Sequence, residues 1–137
     1  MPAGWVQNLD DYWKWLESEL SSSGGSLNED LVVQMIESPF DPRVLLIEQQ
    51  RLTFPDGQYL DFTLAVTGDL NALDYNFHFA DANDRLIWRY DKHIGHEAEF
   101  GTDTHLHVGH EDHREAAGVV EMDQVLKLIR TELGYEP

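Results

Sequence analysis

Between residues 43 and 91 the apolar side chains recur mainly at every second position, which is the period of a β-strand. The clearest run alternates its apolar residues with polar ones, and these apolar residues are Leu60, Phe62, Leu64 and Val66. Turn-forming sequences separate the runs at Pro55-Asp56-Gly57, at Gly68-Asp69 and at residues 81–84. Because such short connections join antiparallel neighbours, the sequence predicts an antiparallel meander of about four or five strands.

The first of these strands, Val44–Phe54, changes its apolar face along its length. Ile47 and Leu52 are separated by an odd number of positions, so a regular strand cannot direct both side chains to the same side. One extra residue in the strand corrects the phase, and we therefore expect a β-bulge between them.

Apolar residues at helical spacing flank the strand region on both sides. The first stripe predicts a helix of about 12–15 residues, and it consists of Trp5, Leu9, Tyr12, Trp13, Leu16 and Leu20. A second, short N-terminal helix is predicted from Leu31, Val32, Met35 and Ile36. A C-terminal helix is predicted from Met122, Val125, Leu126, Ile129 and Leu133.

Helices segregated from an antiparallel sheet define the α+β class, which is the predicted fold. We expect a single domain over residues 1–137. Its parts are a helical N-terminal part at 1–38, the sheet and a histidine-rich segment at 43–108, and the C-terminal helix at 121–134.

The composition excludes several classes of protein. The chain has no cysteine, which excludes a disulfide framework and any thiolate metal site. No apolar run approaches the length of a membrane span, so no membrane partner is expected. The first residues lack a basic segment followed by an apolar one, so a cytoplasmic protein is expected.

The charge is strongly negative, with 26 acidic residues against nine lysines and arginines and a formal net charge of −17. Normal hydrophobic content distinguishes this chain from a disordered acidic tail. The charge favours a surface adapted to high salt, as in a halophilic organism; a basic or metal-rich partner is the alternative. High salt screens the long-range repulsion of phosphates, so the charge does not exclude an RNA substrate.

Histidines are concentrated in one segment, since six of the seven fall within 21 residues. They are His93, His96, His105, His107, His110 and His113. Imidazole exchanges protons near neutral pH and, as the neutral ring, binds transition metals. The cluster therefore predicts either acid/base catalysis or a metal site. On the short strand expected at 104–108, His105 and His107 fall on one face, about 7 Å apart along the chain.

In the metal interpretation, the ligands are His93, His96, His105 and His107, with Glu111 as a carboxylate ligand. Imidazole and carboxylate donors suit Zn, Ni, Mn or Fe. The protein is then a divalent-metal-binding protein or a metal-dependent hydrolase. In the acid/base interpretation no cofactor is required.

A longer pattern includes part of this cluster. Tyr75-Asn-Phe77-His78 precedes a polar turn, followed by Trp88-Arg89-Tyr90-Asp91, a spaced histidine pair and His105-x-His107. This order resembles the TumE-like toxin family of toxin–antitoxin systems over Tyr75 to His107. The resemblance implies a small α+β protein, cleavage of RNA and an antitoxin protein as partner.

The residues of this pattern fit metal-independent RNA cleavage, which needs a base, an acid and a cation beside the phosphate. The predicted catalytic residues are His93, His96, His105, His107 and Arg89. Lys92, Tyr90 and His78 are predicted to bind substrate. Arg89 also has a structural alternative, an ion pair with Asp91 or Glu97.

A third interpretation is a non-enzymatic interaction module that uses the Trp5–Leu20 helix as its partner surface. Three of the four tryptophans lie in the first fifteen residues, and exposed aromatic side chains are enriched at interfaces. The sequence leaves a homo-oligomer open.

Overall fold

The computed structural model describes residues 4–27, 34–36, 44–70, 72–92, 104–108, 114–116 and 120–134. Its strands are β1 Ser26–Leu27, β2 Gln34–Ile36, β3 Val44–Thr53, β4 Tyr59–Thr67, β5 Ala72–Ala80, β6 Leu86–Lys92, β7 Thr104–Val108 and β8 Arg114–Ala116. Its helices are α1 Leu9–Ser21 and α2 Met122–Glu132.

All described strands form one antiparallel sheet, in which β3 to β8 lie side by side in chain order. β1 and β2 both pair with β3, at its two ends. The α+β class and the antiparallel sheet are therefore confirmed. The counts differ, because the described residues contain eight strands instead of four or five, and two helices instead of three.

The prediction of a second N-terminal helix is wrong at Met35 and Ile36, which lie in β2 and pair with Leu45 and Val44. An apolar run this short has no decisive period, and a neighbouring strand edge offers backbone partners that a short helix lacks. Leu31 and Val32 lie outside the described residues.

The predicted bulge in β3 is confirmed. The register with β4 shifts between Ile47 and Gln50, and Gln49 has a φ of 52°. The Gln49 backbone N–H donates to the Thr63 hydroxyl at 3.1 Å instead of joining the ladder. The shift restores the phase of the strand, so that Leu52 is buried on the same side as Ile47.

Helix α1 begins at Asn8, whose side chain accepts a hydrogen bond from the Asp11 backbone N–H at 2.8 Å. Its apolar stripe is buried in the core at Leu9, Tyr12, Trp15, Leu16 and Leu20. Of the predicted stripe, Trp5 is 52% exposed and Trp13 is partly buried, whereas Trp15 was not predicted. A helix that buries this stripe within its own chain offers little of it to a partner.

Both helices pack with the sheet in a single core cluster. The largest buried side chains of the sheet include Phe62, Tyr75, Phe77 and Phe79. A capping box at Glu121 and Gln124 starts α2, and the Tyr75 hydroxyl accepts from the Val120 backbone N–H at 3.1 Å. No helix in the described ranges has the length and apolarity needed to cross a membrane.

Candidate functional site

One line of register positions crosses the sheet perpendicular to the strands and is almost entirely charged or titratable. We call it the polar row, and it runs from β3 to β8 through Arg51, Asp61, His78, Arg89, His107 and Arg114. Each is directly opposite the next, a position in which Cβ atoms lie about 4.5–5.5 Å apart. Because strands alternate their faces, Phe62 and Phe77, one position away, point to the opposite, helix-covered side.

Asp91 lies two residues along β6 from Arg89 and accepts hydrogen bonds from three side chains. Its Oδ1 accepts from Asn76 Nδ2 at 2.6 Å. Its Oδ2 accepts from Arg89 Nε at 3.0 Å and lies 2.9 Å from His107 Nε2. One carboxylate thus connects β5, β6 and β7 through side chains as well as through the backbone ladder.

The contacts of His107 indicate which ring nitrogen carries its proton. Nε2 lies 2.9 Å from the Asp91 carboxylate and 3.3 Å from Arg89 Nη2. A carboxylate only accepts and a guanidinium only donates, so Nε2 cannot satisfy both. The shorter contact to the charged acceptor favours Nε2–H, and in a neutral ring the proton-accepting nitrogen is then Nδ1.

Burial separates the members of this cluster. The His107 and Asp91 side chains are 2% and 4% exposed, whereas that of Arg89 is 21% exposed. A buried carboxylate is tolerated only with partners, and here it has an amide, a guanidinium and an imidazole. Arg89 is therefore the charged group of the cluster that a ligand on this face can reach.

A polar cleft of about 460 Å³ lies beside the β3 bulge on the same face of the sheet. It is lined by Gln49, Arg51, Asp61, Phe62, Thr63 and Asn76. Arg51 binds Asp61 through two hydrogen bonds, at 2.7 and 2.9 Å, and these hydrogen bonds raise the pKa of the guanidinium. Its guanidinium carbon also lies 4.0 Å from the centre of the Tyr59 ring.

The structure brings three of the predicted site residues together, namely His78, Arg89 and His107. His105 pairs with Asp91 in the register of β6 and β7, and its side chain is not described. His93, His96 and Glu111 lie outside the described residues, so their predicted roles stay predictions. The ion pair that was the structural alternative for Arg89 is present, with Asp91 as the partner.

Two predicted substrate-binding residues lie on the other face. The Tyr90 ring packs with Trp88 at 5.3 Å, next to the core, and Lys92 pairs with Tyr75. Both occupy the alternate positions of β6 to Arg89 and Asp91, so the strand period directs them away from the polar row.

For the metal interpretation, the described residues contain no group of three or more His, Cys, Asp or Glu that could hold an ion. Several of the predicted ligands are outside those residues, so the prediction of a Zn, Ni, Mn or Fe site is not tested.

Sequence reasoning missed Asn76, Arg51 and Asp61 as members of this face. The signal was present, because polar residues alternate with apolar ones along β4 and β5. The pairing of Asn76 with Asp91 was not predictable by counting back from the turn at residues 81–84, because the register of β5 and β6 shifts between Phe79 and Ala80.

Comparison with protein families places most of the chain in one of them. The family described as Toxin TumE matches residues 30–134, which extends well beyond the stretch that carries the sequence resemblance. No curated protein and no solved structure matches the chain. Since the match covers the whole sheet from β2 onward and also α2, the chain belongs to the TumE toxin family.

Proposed function

We propose that this protein is a cytoplasmic, RNA-cleaving toxin that acts by metal-independent acid/base catalysis and is neutralised by an antitoxin protein. The observation that carries the proposal is the juxtaposition of Arg89 with His78 and His107 at consecutive positions of the polar row. Membership of a toxin family supports the biological role. The chemistry depends on the site.

The reaction is an in-line transfer within the RNA. The 2′-oxygen forms a bond to phosphorus while the bond from phosphorus to the 5′-oxygen breaks. A base takes the proton of the 2′-hydroxyl, and an acid gives a proton to the leaving 5′-oxygen. The products are a 2′,3′-cyclic phosphate and a 5′-hydroxyl, and no redox partner or cofactor is needed.

Arg89 is assigned to the phosphate. Its planar guanidinium is partly exposed and is held at Nε by Asp91, which leaves the guanidinium fixed in one orientation. A preorganised cation stabilises the charge that develops on the phosphorane without reorganising during the reaction.

His78 and His105 are assigned to proton transfer. His78 is the half-buried neighbour of Arg89 on β5, and His105 occupies the position opposite Asp91 on β7. The two therefore stand on opposite sides of β6 and two residues apart along it, which puts their Cα atoms about 12 Å apart. An acid and a base on opposite sides of a phosphate suit in-line attack. His93 and His96 follow β6 directly in the chain and are further proton-transfer candidates.

His107 takes a positioning role in this proposal. Its side chain is almost fully buried against Asp91, which restricts its access to a substrate. By sharing Asp91 with Arg89 it keeps that carboxylate in place, and thereby the guanidinium.

The test is cleavage of single-stranded RNA by purified protein in the presence of a chelator. We expect fragments with 5′-hydroxyl ends, and a loss of about 100-fold or more in rate for Arg89→Gln. Arg85→Lys, an exposed change in the turn before β6, is the matched control and should cleave like wild type. Fragments with 5′-phosphate ends, or cleavage only after addition of divalent ions, would contradict the proposal and favour the metal-dependent hydrolase.

The biological half of the proposal is tested in cells. Expression should arrest growth, His78→Gln combined with His105→Gln should abolish the arrest, and a small protein encoded beside the gene should suppress it. Growth arrest that persists in the double variant would show that toxicity does not require these two histidines.

A further inference from the structure

The cleft beside the β3 bulge is not used by the chemistry assigned to Arg89 and the histidines. It lies at the β3 end of the polar row and is lined by residues of β3, β4 and β5. Its volume of about 460 Å³ is that of a site for a small molecule or one residue of a polymer. The bulge helps to create it, since Gln49 is turned out of the ladder and lines the cleft wall.

Asn76 joins this cleft to the candidate active site. Its side chain lines the cleft and also donates to Asp91 Oδ1 at 2.6 Å. From Asp91 the hydrogen bonds continue to Arg89 and His107. The cleft is therefore connected to Arg89 through two side chains, Asn76 and Asp91, and a strand of RNA held at Arg89 can reach the cleft along the polar row.

The charge of the cleft favours a nucleobase over a second phosphate. Among the described residues that line the cleft, Arg51 is the only cation, and its charge is balanced by the Asp61 carboxylate, to which it donates two hydrogen bonds. The remaining polar groups are the amides of Gln49 and Asn76 and the hydroxyl of Thr63. Such a mixture of neutral donors and acceptors matches the edge of a base.

Arg51 also provides a flat surface. Two hydrogen bonds to Asp61 and the Tyr59 ring at 4.0 Å fix the plane of the guanidinium, and its side chain is 45% exposed. Unpaired bases in RNA commonly stack on guanidinium planes, which combine a flat surface with low hydration.

We propose that the cleft binds one unpaired base of a single-stranded RNA substrate, which stacks on Arg51 and forms hydrogen bonds with Gln49 and Thr63. The RNA then crosses the sheet perpendicular to the strands, with its scissile phosphate at Arg89 and the bound base beside the bulge. This inference rests on the proposed function and adds a base-recognition site to it.

Binding of a short 2′-O-methyl RNA tests the inference separately from cleavage, because the blocked 2′-oxygen cannot attack. Affinity is measured by fluorescence anisotropy for the full chain. We expect Arg51→Lys to bind about tenfold more weakly, since lysine keeps the charge but loses the stacking plane. Thr63→Val, which is nearly isosteric, should weaken binding less. Arg85→Lys is again the control.

A second series replaces each base in turn by an abasic residue. Removal of one particular base should weaken the binding of wild type about tenfold. On that abasic RNA, Arg51→Lys should bind with the same affinity as wild type. The ion pair of Arg51 is exposed, so Arg51→Lys should unfold at nearly the same urea concentration as wild type, and weaker binding would not reflect unfolding.

The outcomes separate the two proposals. If the blocked RNA does not bind, if Arg51→Lys binds it like wild type, or if no single base matters, the cleft proposal is overturned, whatever the cleavage result. If the base-dependent binding is observed but unmodified RNA is not cleaved, the binding site stands and the cleavage proposal fails.

Discussion

The two faces of the sheet at β5, β6 and β7 bury residues to a similar degree by different means. On the face toward the helices, Phe77 and Tyr75 are at most 1% exposed and contact other apolar side chains. On the other face, the His107 and Asp91 side chains are 2% and 4% exposed and contact each other and Arg89, and Asp91 also contacts Asn76. Apolar burial is favourable wherever the shape fits, whereas polar burial is tolerable only when each group has a partner in the correct geometry.

This difference explains why the candidate functional site lies on the polar face of the sheet. The apolar face tolerates exchanges of similar volume, because its attraction is not directional. The polar face contributes little net stability and instead fixes positions, since one lost partner leaves a buried charge unsatisfied. A chain that retains such a cluster beside an ordinary core gains a rigid arrangement of charged groups from it.

The largest expected effect comes from breaking the apolar face. Phe77→Ala removes a ring with no exposed surface and should cost about 4 kcal/mol in free energy of unfolding, measured by urea denaturation. The fraction that remains folded should keep the activity of wild type, because the Phe77 side chain lies in the core, on the face opposite the polar row. A smaller exchange at the same position, Phe77→Leu, should cost clearly less.

Removing Asp91, the shared acceptor of the polar face, should lower the free energy of unfolding slightly less than Phe77→Ala does, but should lower RNA cleavage far more. Asp91→Ala leaves Arg89 and His107 without their shared acceptor, and should lower the free energy of unfolding by about 3 kcal/mol. Asp61→Ala on the same face removes an exposed ion pair and should cost less than about 1 kcal/mol. Equal losses for the two variants in urea denaturation would show that burial of Asp91 is not what matters.

Added salt should change the overall stability of the protein but not the contribution of the apolar face. With a net charge of −17, raising NaCl from 0.1 to 1 M shortens the screening length from about 10 to about 3 Å and should raise the free energy of unfolding. The loss caused by Phe77→Leu should not change with salt, since both side chains are uncharged. A wild-type stability that falls as NaCl rises would count against the salt-adapted surface that the composition predicts.

The smallest expected effect concerns a hydrogen bond on the helix side of the sheet, between Tyr12 and Glu121, two groups whose pKa values are raised. The Tyr12 hydroxyl donates to Glu121 at 3.3 Å, and burial raises the pKa of both groups. Because the folded protein protonates Glu121 more readily than the unfolded chain does, this contribution is present at low pH and is lost as pH rises through the folded pKa.

Glu121→Gln removes this titration and keeps an acceptor for Tyr12 and the start of α2. The difference in free energy of unfolding, wild type minus variant, should therefore decrease from pH 4 to pH 7. A difference that stays constant, or that increases with pH, would show that Glu121 is not protonated more readily in the folded state.

Most of the sheet was predictable from local pattern, whereas the strand at residues 34–36, predicted as part of a helix, was not. The period of two fixed β3 to β7, and the phase error between Ile47 and Leu52 located the bulge. Residues 34–36 adopt a strand because the edge of β3 pairs with them, and a partner more than seven residues away leaves no mark on a run of apolar residues.

The sequence singles out individual residues of the candidate site but not their arrangement. Arg89, His78 and His107 were identified from residue type and from the family pattern, yet the role of Asp91 as shared acceptor depends on the exact register of three strands. Tyr90 was predicted to bind substrate because the motif groups it with Arg89, but the strand alternates between them and the Tyr90 ring packs with Trp88 on the other face. Asn76 has no distinctive chemistry and is selected only by its position opposite Asp91.

The strand order has a consequence for synthesis of the protein. Because β3 to β8 pair in the order in which they are made, each strand leaves the ribosome with its neighbour already present, and folding needs few distant contacts. His107 joins last, when β7 reaches β6. Under the proposed function, a nascent chain that ends before β7 has Arg89 and Asp91 in place but lacks His105 and His107. Unfinished chains would then be harmless, and toxicity would begin only when translation of the sheet is nearly complete.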